Sequence, residues 1–72
     1  MIKISVLIAG RHATSISLEP EFYVELLQIA QTENISINQL ITKIDTERKT
    51  DNLSSAIRIY ILNYYKAQIK AQ

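Results

Sequence analysis

Seventy-two residues without a cysteine make one small domain that no disulfide or cysteine-held metal can staple, and a chain this size buries only about 60% of its unfolded surface. Eight basic residues against seven acidic ones leave a net charge of +1, which excludes strong indiscriminate attraction to polyanions. A 47% hydrophobic content exceeds what a lone chain of this length needs and points to self-association. The apolar run Val6 to Ala9 is far too short to span a membrane, and no long apolar leader core is present, so the expected compartment is the cytoplasm.

Residues 2–8 alternate. Ile2, Ile4, Val6 and Ile8 share one face, and Lys3, Ser5 and Leu7 share the other, the period of a strand. The pattern breaks at Ala9-Gly10, the only glycine in the chain, and a glycine within a strand pattern marks a turn, bulge or bend. Either the chain folds into a hairpin around Gly10 or one long strand is kinked there. Alternation resumes at Thr14-Ser15-Ile16-Ser17-Leu18, predicting a second strand over about residues 13–18. Such a strand, leading straight into helices, has unpaired edges and needs a mate; a second copy of itself is the simplest one.

Glu19-Pro20-Glu21 then opens a helix, because proline fits the first helical position and carboxylates favour that end. The helix is expected over about 20–33, with Phe22, Leu26, Ile29 and Ala30 on one stripe, widened by Tyr23 and Leu27. Asn34-Ile35 forms the turn. Ser36 and Gln39 stand at capping-box spacing, and Ile35 and Leu40 at the spacing of a hydrophobic staple. A second helix follows over about 37–47, its inner face made by Ile37, Leu40, Ile41 and Ile44. After the polar connector 48–52, Asp51 or Asn52 caps a third helix over about 53–70. That helix is apolar or aromatic nearly all round at Ile57, Ile59, Tyr60, Ile61, Leu62, Tyr64 and Tyr65, which demands burial on more than one side and again favours a dimer.

Charge divides unevenly along the chain. Residues 1–18 carry Lys3 and Arg11 and no acid, residues 19–33 carry four glutamates, and residues 52–72 add Arg58, Lys66 and Lys70. No catalytic or metal centre is expected. His12 is the only histidine and lacks partners for a metal, so it reads as a ribbon or turn residue. Ser54 and Ser55 read as first-turn polar residues. Glu21 and Glu25, one turn apart, read as a solvated pair without the cleft that acid–base work requires. The three tyrosines of the third helix fit core or interface better than a platform for stacking bases.

Strand, helix, tight turn and capped second helix, in that order, resemble the ribbon-helix-helix superfamily, the fold of the Arc repressor and its relatives. Thr14 to Phe22 is similar to a "TSISLEPEFW"-like start, with Tyr23 in place of the tryptophan, and Asn52 to Arg58 reads "NLSSAIR". Both resemble a group of short bacterial ribbon-helix-helix proteins, over roughly residues 5 to 66. The fold implied is mainly α with a short N-terminal β-ribbon, one domain over residues 1–72, with an extra first strand and a third helix.

The resemblance implies a homodimer in which residues 13–18 pair with their symmetry mate, with Ile16, Leu18, Leu40 and Ile41 in the dimer core. Arg11, Ala13, Ser15 and Ser17 would face bases, and Ser36, Ile37 and Asn38, at the start of the second helix, would hold a phosphate. The function implied is DNA-binding transcription regulation, repressor-like, with no cofactor, no metal and no enzyme activity. Serines and an alanine are weak base readers beside the forked side chains that match purine edges. That departure sustains an alternative: a dimeric protein-interaction module with the same fold, no sequence-specific DNA reading and a protein partner.

Overall fold

A computed structural model describes residues 1–8 and 12–70. Two strands, β1 (Ile2–Ile8) and β2 (His12–Leu18), precede three helices, α1 (Pro20–Glu33), α2 (Ile37–Glu47) and α3 (Leu53–Lys70). The strands form an antiparallel two-stranded sheet with register Ile2↔Leu18, Ile4↔Ile16 and Ile8↔His12. Of the two readings open at Gly10, the chain adopts the hairpin; Gly10 itself lies outside the described residues.

The alternation in each strand decides which face the hairpin buries. Val6, Ile8, Ile16 and Leu18 turn inward, β1 packing on α2 and β2 on α1 and α3. Leu18, Leu26, Ile29, Leu40, Ile41 and Ile57 are fully enclosed, and among the described residues no polar or charged side chain is buried. Each such apolar side chain contributes roughly 1.5–3 kcal/mol by leaving water. Ile16, Leu18, Leu40 and Ile41, expected in a dimer core, are buried within one chain; no second copy is required to cover them.

Helix ends follow local chemistry. Pro20 occupies the first turn of α1, and the Glu19 carbonyl accepts from the Phe22 and Tyr23 N–H groups at 3.0 Å. Asn34 closes α1 in the left-handed region, at φ 60° and ψ 41°, and the Ile35 N–H returns to the Ala30 carbonyl at 3.0 Å, a Schellman-type ending. Ser36 and Gln39 form the reciprocal capping box that opens α2. Asn52 caps α3, its Oδ1 accepting from the Ser55 N–H at 3.0 Å. On α3, Ala56, Ile57 and Ile61 are buried and the tyrosines half-buried, but Ile59 and Leu62 remain 48% and 57% exposed. One side of that helix is uncovered.

Candidate nucleic-acid interface

The outer face of the hairpin carries three cross-strand pairs, Lys3↔Ser17, Ser5↔Ser15 and Leu7↔Ala13. Lys3, Ser5, Leu7, Ala13 and Ser15 are exposed and Ser17 is half-buried. Ala13, Ser15 and Ser17 were expected to face outward, and they do so together. Arg11, expected at the head of the same row, lies outside the described residues. Sequence reasoning assigned no role to Lys3, Ser5 and Leu7, although their shared parity was visible. What brings them to this face is the register, which hydropathy does not specify.

Both the unpaired strand edges and the resemblance point to a second copy as the mate of residues 13–18. Within the chain, β2 pairs with β1 along their full lengths. The strands are close in sequence, Ile8 and His12 being four residues apart, and so short a separation makes intrachain pairing entropically cheap.

Both outer edges of the hairpin are tied to the helical body. The Ser17 N–H donates to Ser54 Oγ at 3.3 Å on α3, and the Leu7 N–H donates to Asn38 Oδ1 at 3.3 Å on α2. Since an antiparallel residue directs its N–H and C=O to one side, Ala13 and Ser15 share the outer edge of β2 with Ser17. Ser54, expected only as a polar first-turn residue, closes one end of that edge.

The start of α2 lies beside β1 through the Asn38 contact. Ser36 Oγ accepts from the Gln39 N–H at 3.0 Å, and the Ser36 N–H donates to Gln39 Oε1 at 2.8 Å. Ile37 is half-buried and Asn38 exposed. Of the three residues expected to hold a phosphate, Asn38 therefore spends its side-chain oxygen on the strand. The backbone N–H groups of Ile37 and Asn38, at the positive end of the helix dipole, carry the anion-binding potential.

The decisive arrangement is this two-stranded ribbon with a hydroxyl-lined outer face, a capped helix start at its flank and the α1–α2 turn behind. Consistent with it, the ribbon-helix-helix domain family matches residues 1–65. The chain belongs to the ribbon-helix-helix domain family. Members are typically DNA-binding transcription regulators, generally dimerise and generally lack enzymatic activity. No curated protein and no solved structure matches the chain.

In this ribbon-helix-helix chain the seam between α1 and α3 is polar at its rim. Arg58 donates to Glu19 Oε1 at 2.8 Å and lies 6.0 Å from the Phe22 ring centroid. That hydrogen bond holds the Glu19 carboxyl below its ordinary range. Tyr65 donates to Glu25 Oε1 at 2.7 Å, and Tyr64 to Glu33 Oε2 at 3.0 Å. The bond to the Glu25 carboxylate, reinforced by desolvation, pushes the Tyr65 hydroxyl up to about 12. Desolvation, then Glu33, raises Tyr64.

Glu25 is thus a half-buried seam residue rather than a solvated partner of Glu21. Its hydrogen-bonding distance to a phenol was not visible in helical spacing. His12 is exposed and lines a cleft with Asp45, Arg48 and Asp51. Among the described residues no group of three His, Asp or Glu side chains is placed to hold a metal. No described helix is long and apolar enough to cross a membrane.

Proposed function

We propose that this ribbon-helix-helix protein is a bacterial, cytoplasmic transcription regulator that acts as a homodimer and binds duplex DNA through its hairpin. The ribbon lies in the major groove, whose width of about 12 Å admits two strands. The Ser36–Asn38 helix start sits on a flanking phosphate, and Ala13, Ser15 and Ser17 face base edges, with Arg11 just before them in sequence. The observation that carries this reading is the outward face that sets Lys3, Ser5, Ser15 and Ser17 together on a ribbon tied at both edges to its helices. A net charge of +1 limits the cation-driven part of the affinity, so binding is modest per dimer, and what cation-driven part there is weakens as salt rises.

Fluorescence anisotropy with labelled duplexes across a salt series tests it. The expected result is a log–log slope of several units, with Ser36→Ala weakening binding. Absence of salt-dependent binding at low ionic strength overturns the regulator. A second reading, a protein-interaction module, is favoured by the exposed Ile59 and Leu62 of α3. It predicts a specific protein partner whose capture Leu62→Glu abolishes, and recovery of no partner counts against it.

A further inference from the structure

We propose that the cleft between the end of α2 and the first half of α3 binds a free α-amino acid with an apolar or aromatic side chain. The site goes beyond the DNA-binding reading and does not depend on it. The cleft encloses about 350 Å³, between the last turn of α2, connector residues 48–50 and one stripe of α3. On α3 the stripe is Ala56, Ile59, Tyr60 and Asn63, whose spacing sets them on one face of the helix. Alanine at 56 leaves room that a larger residue would fill. Ile44 and Ala56 are buried and make the floor, and half-buried Tyr60 and exposed Ile59 make the wall.

Two opposite charges stand at the rim of this apolar floor. Glu47 and Lys49 are exposed, and among the described residues neither side chain has an ion pair or hydrogen bond. Arg48, between them in sequence, is already spent on Asp45 Oδ1 and on the Thr50 and Asp51 carbonyls. Glu47 lies at the negative end of α2, whose last turn carries no basic residue, so an ammonium is favoured there. Lys49 is the free cation for a carboxylate. Lys43, its Nζ 5.9 Å from the Tyr60 ring centroid, adds positive charge near the wall.

An apolar pocket with a few polar groups at its edge is the usual form of a small-ligand site, and this one stands at the low end of the common range of about 300–1,000 Å³. Size therefore selects a small ligand, and charge selects its class. A polyanion is repelled by Glu47, and a simple amine by Lys43 and Lys49. A zwitterion satisfies both signs while its side chain lies on Ile44 and Ala56 against Tyr60. No lining residue belongs to the hairpin or to the start of α2, so an occupant leaves those surfaces open. Ile59 also lines the apolar groove between α1 and α3, which puts the occupant in contact with that surface too, the position of an effector.

Titration of the full chain with L-phenylalanine, followed by amide NMR shifts, tests the site. Saturable shifts are expected at Ala56, Ile59, Tyr60 and Asn63, with a Kd on the order of 1 mM. Phenylalaninamide lacks the carboxylate and N-acetylphenylalanine lacks the ammonium. Each is expected to bind about twofold to fivefold more weakly, the range of one exposed ion pair. Lys49→Gln is expected to abolish the first difference and Glu47→Gln the second. Both residues are exposed, and circular dichroism melting of the two variants confirms that the fold is kept. Glycine, without an apolar side chain, is expected to give no saturation over the same range. Absence of saturable shifts with phenylalanine, shifts confined to other elements, equal binding of the three phenylalanine ligands, or differences that both variants retain overturn the site. Each of these outcomes leaves the DNA-binding reading standing, because salt-dependent binding to duplexes is measured separately.

Discussion

At the scale of single residues, Asn34 sits in the left-handed region at φ 60°, where a Cβ costs roughly 1–2 kcal/mol and asparagine offsets part of that through local hydrogen bonding. Asn34→Ala is therefore expected to lower stability by about 1 kcal/mol in urea denaturation, and Asn34→Gly to leave it equal or higher. Ile16 is 3% exposed between the sheet and the helices. Ile16→Asp places an unpaired carboxylate there and unfolds the chain, because burying a lone charge costs more than a small domain can supply; loss of the far-ultraviolet dichroism is the readout. Tyr65 gives a pH dependence. Its folded hydroxyl is pushed up to about 12, whereas an unfolded tyrosine ionises near 10. The folded state thus holds the proton more tightly, so this contribution is full below about pH 10 and is lost as pH rises towards about 12. Melting temperatures across that window should fall more steeply for the unmodified chain than for Tyr65→Phe, the remaining slope including Tyr64.

At the scale of elements, what was legible in the sequence was whatever short-range chemistry writes down. Alternation in Ile2–Ile8 marked β1, Pro20 marked the start of α1, and Ser36 with Gln39 marked the start of α2; each signal lies within a few residues of what it specifies. Between Asp51 and Asn52, sequence left the α3 cap open, and the structure selects Asn52, so Asn52→Ala is expected to fray the first turn and cost about 1 kcal/mol. Amide exchange at Ser55 and Ala56 reads that fraying directly. The candidate site was half legible, because the outward parity of Ala13, Ser15 and Ser17 follows from the period of two. Lys3, Ser5 and Leu7 enter the face only through the pairing Ser5↔Ser15 and its neighbours, a contact across ten residues of chain that no local pattern encodes. The same limit hid the ties from Asn38 and Ser54 to the strand edges, which join positions 31 and 37 residues apart.

At the scale of the whole molecule, the question is where a second copy meets the first. The core does not ask for one: Ile16, Leu18, Leu40 and Ile41 are already enclosed. The surface does. The chain exposes 5026 Å², whereas a compact monomer of 8.2 kDa is expected to expose about 4,500 Å². The excess fits an elongated body of 38 × 23 × 23 Å with Ile59, Leu62 and Ile69 standing out of α3 at 48%, 57% and 71% exposure. Ile59 and Leu62 line a groove with Phe22, Arg58, Ile61 and Tyr65, and Ile69 follows at helical spacing, a surface that a second copy can meet in an isologous contact. Covering that surface leaves the hairpin and the α2 start of each copy free for DNA. Sedimentation equilibrium at micromolar concentration is therefore expected to show a dimer, and Leu62→Glu a folded monomer with unchanged dichroism and weaker DNA binding, since two linked hairpins gain from effective concentration what one lacks. A folded monomer in the unmodified chain, or a dimer indifferent to Leu62→Glu, removes α3 as the seat of association.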